Sequence, residues 1–447
     1  MSEAKKTDLY ELTMAMSYVR EGMTEPATFS LFVRDLPPER GFLVAAGLEP
    51  ALDYLSGFRI GPGDLDSFGT ALGRPTRELV PLLGMTFKGD VRAVPEGTLV
   101  FANEPLLEVT APLPVAQLVE TYLVNLLSHQ TAVASKAARC VLAAGGRPVM
   151  DFSMRRTHGL EAAYEAARLG ALVGFAGTSN VDAAASLGLT AIGTMAHSYV
   201  EAFRSEEDAF RAFTRAHPDR PVTLLVDTYD TDTGVRTAAR VFKSLGASAG
   251  SAIRLDSGDL GDQAVRARRI LDEAGLTGVL IVASGGLDEY AVDRLVQEGA
   301  PIDVYAVGTR VGVAADAPYL DSAYKLVAYD GRPVMKLSSR KNTAPDAKQI
   351  FRGHACQDVI ALRHEQPPAD VRPLMRPVMR GGRRVSEAPP LREAQQRFAA
   401  DVAQLPPEAR RITGPLPPRP VFSDESKALT AQVRRRIERE ILAPERV

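Results

Sequence analysis

Arg254 and Asp256 form a pair of opposite charges two positions apart, within and directly after an apolar run. In a β-strand, two side chains at this spacing lie on the same face. A guanidinium group can bind a carboxylate through two parallel hydrogen bonds, and a nearby Asp can accept hydrogen bonds from sugar hydroxyls or help to hold Mg²⁺. An internal ion pair, followed by a helix cap at Ser257 or Asp259, explains the same residues equally well. The pattern alone leaves both interpretations open.

Two glycine-containing turns follow later apolar runs, at Ser284-Gly285-Gly286 and at Gly308-Thr309. Each combines glycine with a hydroxyl group immediately before a stretch typical of a helix. Such a turn directs backbone N–H groups at an anion, and glycine lacks the Cβ that would keep a phosphate away. A single case is often ordinary turn chemistry. Two cases on successive strands favour a phosphate site, because barrel enzymes often bind phosphate at their last strands.

His197 follows Gly193-Thr194 after another short apolar run. A single histidine is more often a hydrogen-bonded structural residue than a catalytic one. No His, Cys or carboxylate stands at metal-ligand spacing near it in the sequence, so nucleophilic or acid/base chemistry is favoured over metal binding.

These residues need a scaffold that brings them together, and the sequence from residue 148 onward predicts one. Short apolar runs alternate with amphipathic stretches of helix length, which is typical of repeated βα units around a parallel sheet. The predicted strands are 148–152, 171–175, 190–193, 222–227, 252–255, 279–283 and 303–307, with 325–328 as a weaker eighth. Their number favours a closed or nearly closed α/β barrel over an open doubly wound sheet, although spacing does not exclude the latter. In a barrel the polar residues after each run would meet at one end.

The flanking regions have simpler patterns. Residues 7–22 predict a helix capped by Thr7 or Asp8, residues 29–33 a strand, and residues 117–144 a long helix. Beyond residue 352, segments rich in Pro and Arg are typical of connecting loops. Residues 423–442 predict a closing helix capped by Ser423.

Composition narrows the class of partner. The 447 residues are 45% hydrophobic and 24% charged, with a formal net charge of -2. This balance gives no support for a nucleic-acid or membrane surface held by bulk electrostatics, and favours a small-molecule partner. The two cysteines, Cys140 and Cys356, support neither a disulfide framework nor a structural zinc site. With no apolar run of membrane-spanning length, we expect a cytoplasmic protein.

Several separated motifs, in this order, resemble the nicotinate phosphoribosyltransferase family from about residue 7 to residue 352. They are TDLYELTM (7–14), LSHQT (127–131), DFSMRR (151–156), GTMAHS (193–198), IRLDSGD (253–259) and VGT (307–309). The resemblance implies an irregular α/β barrel of the type II phosphoribosyltransferase kind, with a smaller α+β domain built from both chain ends. It thus implies an N-terminal α+β domain at 1–125, a barrel at 126–345, and a C-terminal segment at 346–447 packing with the N-terminal domain. A homodimer that shares its active site is also implied.

The resemblance further implies condensation of nicotinate with phosphoribosyl pyrophosphate to give nicotinate mononucleotide and pyrophosphate, in NAD salvage. Mg²⁺ would assist as cofactor and ATP as co-substrate, with ATP hydrolysis coupled through a phosphohistidine at His197. In the family pattern Arg254 resembles the clamp on the nicotinate carboxylate and Thr194 a nearby contact. Phe152 would stack on the pyridine ring, and Tyr10 would come from the neighbouring subunit.

Asp256 resembles the carboxylate that contacts ribose, which with His197 and Arg254 completes the expected catalytic set. The turns that hold Ser284, Gly285, Gly286, Gly308 and Thr309 would bind the 5′-phosphate, and Arg155 would approach the phosphates or the ring. Lys336, Lys341 and Lys348 resemble a basic family loop without an assigned role. One departure is Pro345-Asp346, where the family more often has Pro-Gly.

Other functions remain open at this stage. Relatives that use nicotinamide resemble this chain but carry a carboxylate where Ser179 stands; a negative charge there would repel nicotinate, so Ser179 favours the acid. The alternatives are a nicotinamide or quinolinate phosphoribosyltransferase, or a catalytically silent barrel that binds a phosphorylated ligand.

Overall fold

The computed structural model describes residues 3–245, 249–337 and 343–442. The strands are β1 (Pro26–Val33), β2 (Leu43–Val44), β3 (Asp90–Ala93), β4 (Leu99–Val100), β5 (Pro105–Pro112), β6 (Val149–Asp151), β7 (Gly177–Thr178), β8 (Thr223–Leu225), β9 (Ala252–Leu255), β10 (Leu280–Ala283), β11 (Val304–Val307), β12 (Ser322–Tyr329), β13 (Arg332–Pro333), β14 (Lys348–Arg352), β15 (Asp358–Leu362), β16 (Arg372–Pro373), β17 (Arg376–Arg380), β18 (Arg383–Arg384) and β19 (Val421–Phe422).

The α-helices are α1 (Leu9–Arg20), α2 (Leu48–Gly57), α3 (Pro62–Leu72), α4 (Leu113–Leu118), α5 (Glu120–Ala143), α6 (Leu160–Leu172), α7 (Val181–Leu187), α8 (His197–Glu201), α9 (Glu206–Ala216), α10 (Thr231–Leu245), α11 (Leu260–Glu273), α12 (Glu289–Gln297), α13 (Thr309–Gly312), α14 (Leu391–Gln404) and α15 (Asp424–Ile437). Within the described ranges, none of them has both the length and the apolar character of a membrane span. The chain forms two compact units, one of residues up to Ala132 together with those from Tyr319 onward, and one of Val133–Pro318.

The unit Val133–Pro318 is built on a six-stranded sheet in the order β7-β6-β11-β10-β9-β8. Every neighbouring pair of these strands is parallel. Parallel strands need crossover connections, which the intervening helices provide. All six strands therefore end at the same edge of the sheet, and the protein is an α/β protein with a parallel sheet, as the sequence predicts.

Three predicted strands need correction. Residues 171 and 172 end helix α6, and the strand of this region is β7, five residues later. A Cβ on Gly170 would lie 2.8 Å from the Phe175 ring, so the chain folds back closely where the helix ends. Residues 190–193 form only an isolated parallel bridge between Ala191 and Thr178. The weaker eighth strand, 325–328, lies within β12, which pairs antiparallel with β1 in the other unit. Among the described residues no ladder joins the edge strands β7 and β8, so the hydrogen-bonded sheet is open.

The two faces of the parallel sheet are both buried, as expected when crossovers cover it. One face carries small and medium apolar side chains, with Ala252, Val282, Val304 and Ala306 packed against Met150, Phe152 and Leu280. Because side chains alternate along a strand, Arg254 lies on the same face as Ala252, two residues closer to the carboxyl end. Arg254 and Phe152 thus extend the apolar face towards the edge where the loops begin.

Short polar side chains begin the helices that follow the strands. The side chains of Asn180, Asp259 and Asp288 accept hydrogen bonds from backbone N–H groups in the first turns of α7, α11 and α12 respectively. Such caps satisfy donors that have no partner within the helix. The sequence-based interpretation of Asp259 as a helix cap is therefore confirmed.

The other unit contains a seven-stranded sheet in the order β13-β12-β1-β5-β3-β17-β18 and a four-stranded sheet in the order β16-β14-β15-β19. The predicted helices at 7–22, 117–144 and 423–442 correspond to α1, α5 and α15. Ser423 caps α15 by accepting from the Ser426 N–H, as predicted. Asp346, where the family more often has glycine, adopts a φ of 65°, so an Asp keeps the left-handed geometry that glycine would allow.

Arg352 lies at the centre of a buried charge cluster in this unit. Its Nε donates to both oxygens of Asp358 at 3.0 and 3.1 Å, and its Nη1 donates to Asp401 at 2.9 Å. Glu104 lies 3.9 Å from its Nη2, and burial together with the nearby Asp358 raises the pKa of Glu104. One guanidinium thus joins β14, β15 and α14.

We expect Arg352→Leu to lower the free energy of unfolding by about 3–5 kcal/mol, because it removes the cation that pairs with the buried carboxylate of Asp358. Urea denaturation followed by circular dichroism measures this loss. The matched control is Arg20→Leu, which removes an exposed ion pair with Glu78 and should cost less than about 1 kcal/mol. Equal losses in the two variants would contradict a stabilising role for the Arg352 cluster.

Candidate active site

Two cavities open at the carboxyl edge of the parallel sheet, with volumes of about 550 and 330 Å³. We call them the ring cavity and the phosphate cavity, after the ligands that the sequence predicts for each. The ring cavity is lined by Phe152, Met154, Arg155, Leu160, Ser179, Gly193, Thr194, Met195, Ala196, His197, Arg254 and Asp256. The phosphate cavity is lined by Phe152, Arg155, Arg156, Asp256, Ser284, Gly285, Gly286, Ala306, Gly308 and Thr309. Three shared residues, Phe152, Arg155 and Asp256, make the two cavities adjoin.

Arg254 is the buried cation of the ring cavity, with a side chain that is 11% exposed. Its Nη1 donates to the Thr194 hydroxyl, and its Nη2 lies 3.8 Å from Asp256 Oδ1. The Nε is buried without a hydrogen-bond partner among the described residues. Burial lowers the pKa of Arg254, while the charges of Asp256 and Asp227 oppose that shift. The ring cavity therefore holds a desolvated cation, an environment that strengthens its attraction for an anion.

His197 begins α8 and reaches towards Asp256. Its Nδ1 lies 3.2 Å from the Thr228 hydroxyl, and its Nε2 lies 3.8 Å from Asp256 Oδ2. The His197 side chain is 38% exposed. One ring nitrogen is thus fixed by a hydroxyl, while the other faces the carboxylate and remains accessible from the cavity.

Asp256 is held both through its side chain and through its backbone. The Ser284 hydroxyl donates to its Oδ1 at 2.5 Å. Its backbone N–H and the Ser257 hydroxyl donate to Asp227 Oδ2 at 2.9 and 2.7 Å. Asp227 Oδ1 is buried without a partner among the described residues. The Ser284 bond orients the one carboxylate that both cavities share, and the bonds to Asp227 hold the backbone that carries it.

Asp151 performs a similar task at the neighbouring strand ends. It is 2% exposed, and its oxygens accept hydrogen bonds from the Ser153 N–H at 2.9 Å and the Thr178 hydroxyl at 2.6 Å. The Ser179 N–H donates to the carbonyl oxygen of Asp151 at 2.8 Å. Asp151 thereby sets the positions of Phe152 and Ser179 on two sides of the ring cavity.

The three glycines of the two turns are not needed for the same reason. A Cβ on Gly285, which has a φ of 89°, would lie 1.7 Å from the carbonyl oxygen of Asp256. A Cβ on Gly308 would lie 2.8 Å from the carbonyl oxygen of Phe152. Gly286 has a φ of 68° but no atom within 4 Å of such a Cβ. Close packing of neighbouring strand ends thus explains Gly285 and Gly308, while Gly286 leaves open space at the cavity.

Carboxylates also gather behind the ring cavity. Glu206 begins α9, and its Oε1 is buried without a partner among the described residues. Burial, and then the charges of Asp230 and Asp227, raise the pKa of Glu206 to about 7. In the described ranges no group of three or more His, Cys, Asp or Glu side chains is arranged to hold a metal ion by itself.

Comparison with known proteins shows which family the chain belongs to. Three family models match: the nicotinate phosphoribosyltransferase N-terminal domain at residues 6–128, the nicotinate phosphoribosyltransferase family at 148–300, and the C-terminal domain at 367–421. A nicotinate phosphoribosyltransferase of Mycobacterium tuberculosis is 47% identical over 413 residues, covering 91% of this chain and 88% of the relative. The chain belongs to the nicotinate phosphoribosyltransferase family.

Two further relatives agree with this assignment. The nicotinate phosphoribosyltransferase of Bacillus subtilis is 43% identical, covering 80% of this chain and 76% of its own. The crystal structure of human nicotinic acid phosphoribosyltransferase superposes with a TM-score of 0.83 at 30% identity, covering 96% of this chain and 99% of the human one. The resemblance noted in the sequence is thereby confirmed.

Most residues that the family pattern singles out line one of the two cavities, but the basic loop and Tyr10 do not. Tyr10 lies on α1 in the other unit and is 47% exposed. Lys348 is 4% exposed and donates to the Asp346 carbonyl oxygen at 2.8 Å, and burial lowers its pKa to about 8. Lys336 is exposed, and Lys341 lies outside the described residues.

The sequence missed several residues that line the cavities. Met154, Leu160 and Met195 supply apolar surface to the ring cavity, and Arg156 adds a second cation beside Arg155 in the phosphate cavity. Arg156 could have been found from its place in the DFSMRR motif. Met154 and Met195 also lie in quoted motifs, but nothing in the local pattern of the three apolar residues separates a cavity wall from a core position.

The two adjacent glycines provide a matched test of the turn. We expect Gly286→Ala to cost about 1–2 kcal/mol of stability, from the left-handed backbone alone. Gly285→Ala should cost roughly 1–3 kcal/mol more, because its Cβ would collide with the Asp256 carbonyl and force the strand ends apart. Thermal unfolding measures both variants. Equal losses would contradict the close approach at Gly285.

Proposed function

We propose that the protein transfers the phosphoribosyl group of 5-phosphoribosyl 1-pyrophosphate to nicotinate, giving nicotinate mononucleotide and pyrophosphate in NAD salvage. The observation that carries the proposal is the pair of adjoining cavities, one with a buried Arg254 and one with two glycine turns, sharing Asp256. An anionic ring and a phosphosugar could occupy them together. Membership of the family supports the same reaction.

Nicotinate would lie in the ring cavity with its carboxylate on Arg254. A guanidinium binds a carboxylate by donating two parallel hydrogen bonds, and the burial of Arg254 strengthens this interaction. Phe152, in the wall common to both cavities, would stack on the pyridine ring and keep its nitrogen facing the sugar. Thr194 would hold Arg254 in place through the hydrogen bond that already joins them.

The sugar phosphate would lie across Asp256 in the phosphate cavity. The Asp256 carboxylate, oriented by Ser284, would accept hydrogen bonds from the ribose hydroxyls. Backbone N–H groups around Gly285, Gly286, Gly308 and Thr309 would hold the 5′-phosphate.

Bond breaking at the ribosyl carbon leaves positive charge on the sugar and negative charge on pyrophosphate. Arg155 and Arg156 would stabilise the leaving group, and holding the pyridine nitrogen in line supplies much of the remaining rate. Mg²⁺ commonly binds one or two carboxylates together with substrate phosphates, which Asp256 fits, and there it would neutralise pyrophosphate charge. Little acid/base chemistry is needed.

We further propose that ATP phosphorylates His197. The γ-phosphoryl group would pass to the accessible Nε2, releasing ADP, while Thr228 holds Nδ1. A phosphate on Nε2 would add negative charge beside Asp256 and could reorganise the 190–196 segment, so that hydrolysis energy becomes tighter substrate binding.

Ser179 supports the acid over the amide as substrate. It lines the ring cavity and brings no negative charge to repel nicotinate. A substrate panel separates this reaction from two alternatives. One is that nicotinamide or quinolinate is the substrate, and the other is that the protein is a silent barrel that binds a phosphorylated ligand without turnover.

The arrangement of subunits extends the proposal. We propose an irregular barrel of the type II phosphoribosyltransferase kind, a smaller α+β domain from both chain ends, and a cytoplasmic homodimer in which Tyr10 enters the partner's ring cavity. An exposed aromatic side chain on α1 fits such a role.

A substrate panel tests the reaction. Purified protein with phosphoribosyl pyrophosphate, Mg²⁺ and ATP should form nicotinate mononucleotide and ADP from nicotinate, and no nucleotide from nicotinamide or quinolinate. Arg254→Gln should lower kcat/KM for nicotinate about 100-fold or more, because it removes a buried partner of the carboxylate. Arg211→Gln, which breaks a half-exposed ion pair on α9, is the matched control and should leave kcat/KM for nicotinate unchanged. Turnover of nicotinamide but not nicotinate would overturn the substrate assignment.

Labelling tests the phosphohistidine. With γ-phosphate-labelled ATP, the wild-type protein should gain an acid-labile label that His197→Ala lacks. Thr228→Val should lower the labelling rate without abolishing it, since it frees Nδ1 but keeps the accepting nitrogen. Persistent labelling of the His197→Ala variant would place the phosphate on another residue.

A further inference from the structure

Two charge contacts outside the phosphate cavity, one half-exposed and one buried, join the segments that carry its two glycine turns. One segment runs from Ser284 to the start of α12, and the other from Gly308 through α13. None of the charged side chains that make these contacts lines either cavity. Their chemistry is therefore not explained by direct contact with a ligand.

Asp288 makes the first contact. Its Oδ1 accepts a hydrogen bond from the Ala291 N–H at 3.0 Å, which caps α12, and its Oδ2 accepts one from Arg310 Nη1 at 2.6 Å. The Asp288 side chain is 9% exposed and that of Arg310 is 53% exposed. Asp288 stands two residues after Gly286, and Arg310 directly follows Thr309.

Lys136, Glu289 and Asp316 make the second contact. Lys136 on α5 pairs with Glu289 on α12 and with Asp316, 3.0 Å away, which follows α13. Arg139 donates to the other oxygen of Glu289 at 2.9 Å. Lys136 and Glu289 are 1% and 0% exposed. The start of α12 and the segment after α13 are thus both tied to α5.

Backbone hydrogen bonds do not join the two glycine turns to each other. The β10–β11 ladder ends at the pair Ala283 and Tyr305. Beyond it, within the described residues, no backbone hydrogen bond joins 284–288 to 308–310. The Asp288–Arg310 pair is a side-chain hydrogen bond that joins the two segments directly, two residues after Gly286 and one after Thr309.

We propose that Asp288 is a positioning residue, which holds the Gly308-Thr309 turn at a fixed distance from the Gly285-Gly286 turn through Arg310. The inference rests on the proposed function, since it assigns both turns to one phosphate group of the phosphoribosyl substrate. Two turns share one phosphate only at a set separation, and a displacement of about 1 Å far from the reacting atoms can cost up to 100-fold in rate. The Asp288 carboxylate then has a second role besides capping α12, which is to bind Arg310.

The variants separate positioning from capping. Asp288→Asn keeps an oxygen that can cap α12 but loses the charge that binds Arg310. Arg310→Met removes the partner and leaves the cap intact, and Arg310→Lys keeps the positive charge. Arg266→Met is the matched control, because Arg266 also forms a half-exposed ion pair, with Asp232 on the neighbouring helix, and lines neither cavity.

Initial rates as a function of each substrate measure the effect. Asp288→Asn and Arg310→Met should each raise the KM for phosphoribosyl pyrophosphate roughly tenfold, with the KM for nicotinate and the melting temperature nearly unchanged. Because both act through one contact, the double variant should be no worse than either single variant. Arg310→Lys should recover part of the loss, and Arg266→Met should match the wild type.

A rise in the KM values for both substrates, together with a lower melting temperature, would show that Asp288 acts only as a helix cap and would overturn the proposal. Additive effects of the two substitutions in the double variant would overturn it as well. Binding of ribose 5-phosphate, measured by calorimetry, keeps the test independent of turnover. If the wild type binds ribose 5-phosphate but forms no nucleotide, the proposed reaction is wrong. The affinity of the Asp288 variants for ribose 5-phosphate then still tests whether Asp288 positions the two turns. Unchanged ribose 5-phosphate affinity in both single variants would also overturn the inference.

Discussion

Parallel hydrogen bonding of six strands is the constraint on which the site depends. A parallel ladder aligns every strand in the same direction, so the loops that follow β6 to β11 all begin at one edge of the sheet. Residues far apart in the chain, such as Phe152, Arg254 and Gly308, reach adjoining cavities for this reason. The apolar face below them, rich in alanine and valine, is closely packed and gives the strand ends a rigid base.

Above that base, three buried or half-buried carboxylates hold the loops. Asp151, Asp227 and Asp288 each accept hydrogen bonds from two groups in the segments beside the cavities. None of the three lines a cavity. Each charge is stabilised by donors from the loops that it holds, which is the usual condition for burying a carboxylate. The loops beside the two cavities are thus held by carboxylates that lie outside the cavity walls.

The balance of charge inside the cavities follows from the same arrangement. Arg155, Arg156 and Arg254 face a single lining carboxylate, Asp256, so the cavities carry excess positive charge although the whole chain has a net charge of -2. Local placement, and not bulk composition, makes the site attractive to anions. His197 lies beside this group of charges, with its Nε2 3.8 Å from Asp256 Oδ2.

The sequence by itself determined the alternation of strands and helices, the glycine turns, the placement of Arg254 and Asp256 at one strand end and the family, because each depends on local periodicity or on a motif of adjacent residues. It could not place 325–328, which has a strand pattern but pairs with β1, since the partner of a strand is not encoded in its own alternation. Nor could it find Asp288 and Arg310, 22 residues apart in the chain. Only the tertiary structure decided which charges meet, because that depends on how neighbouring strand ends pack.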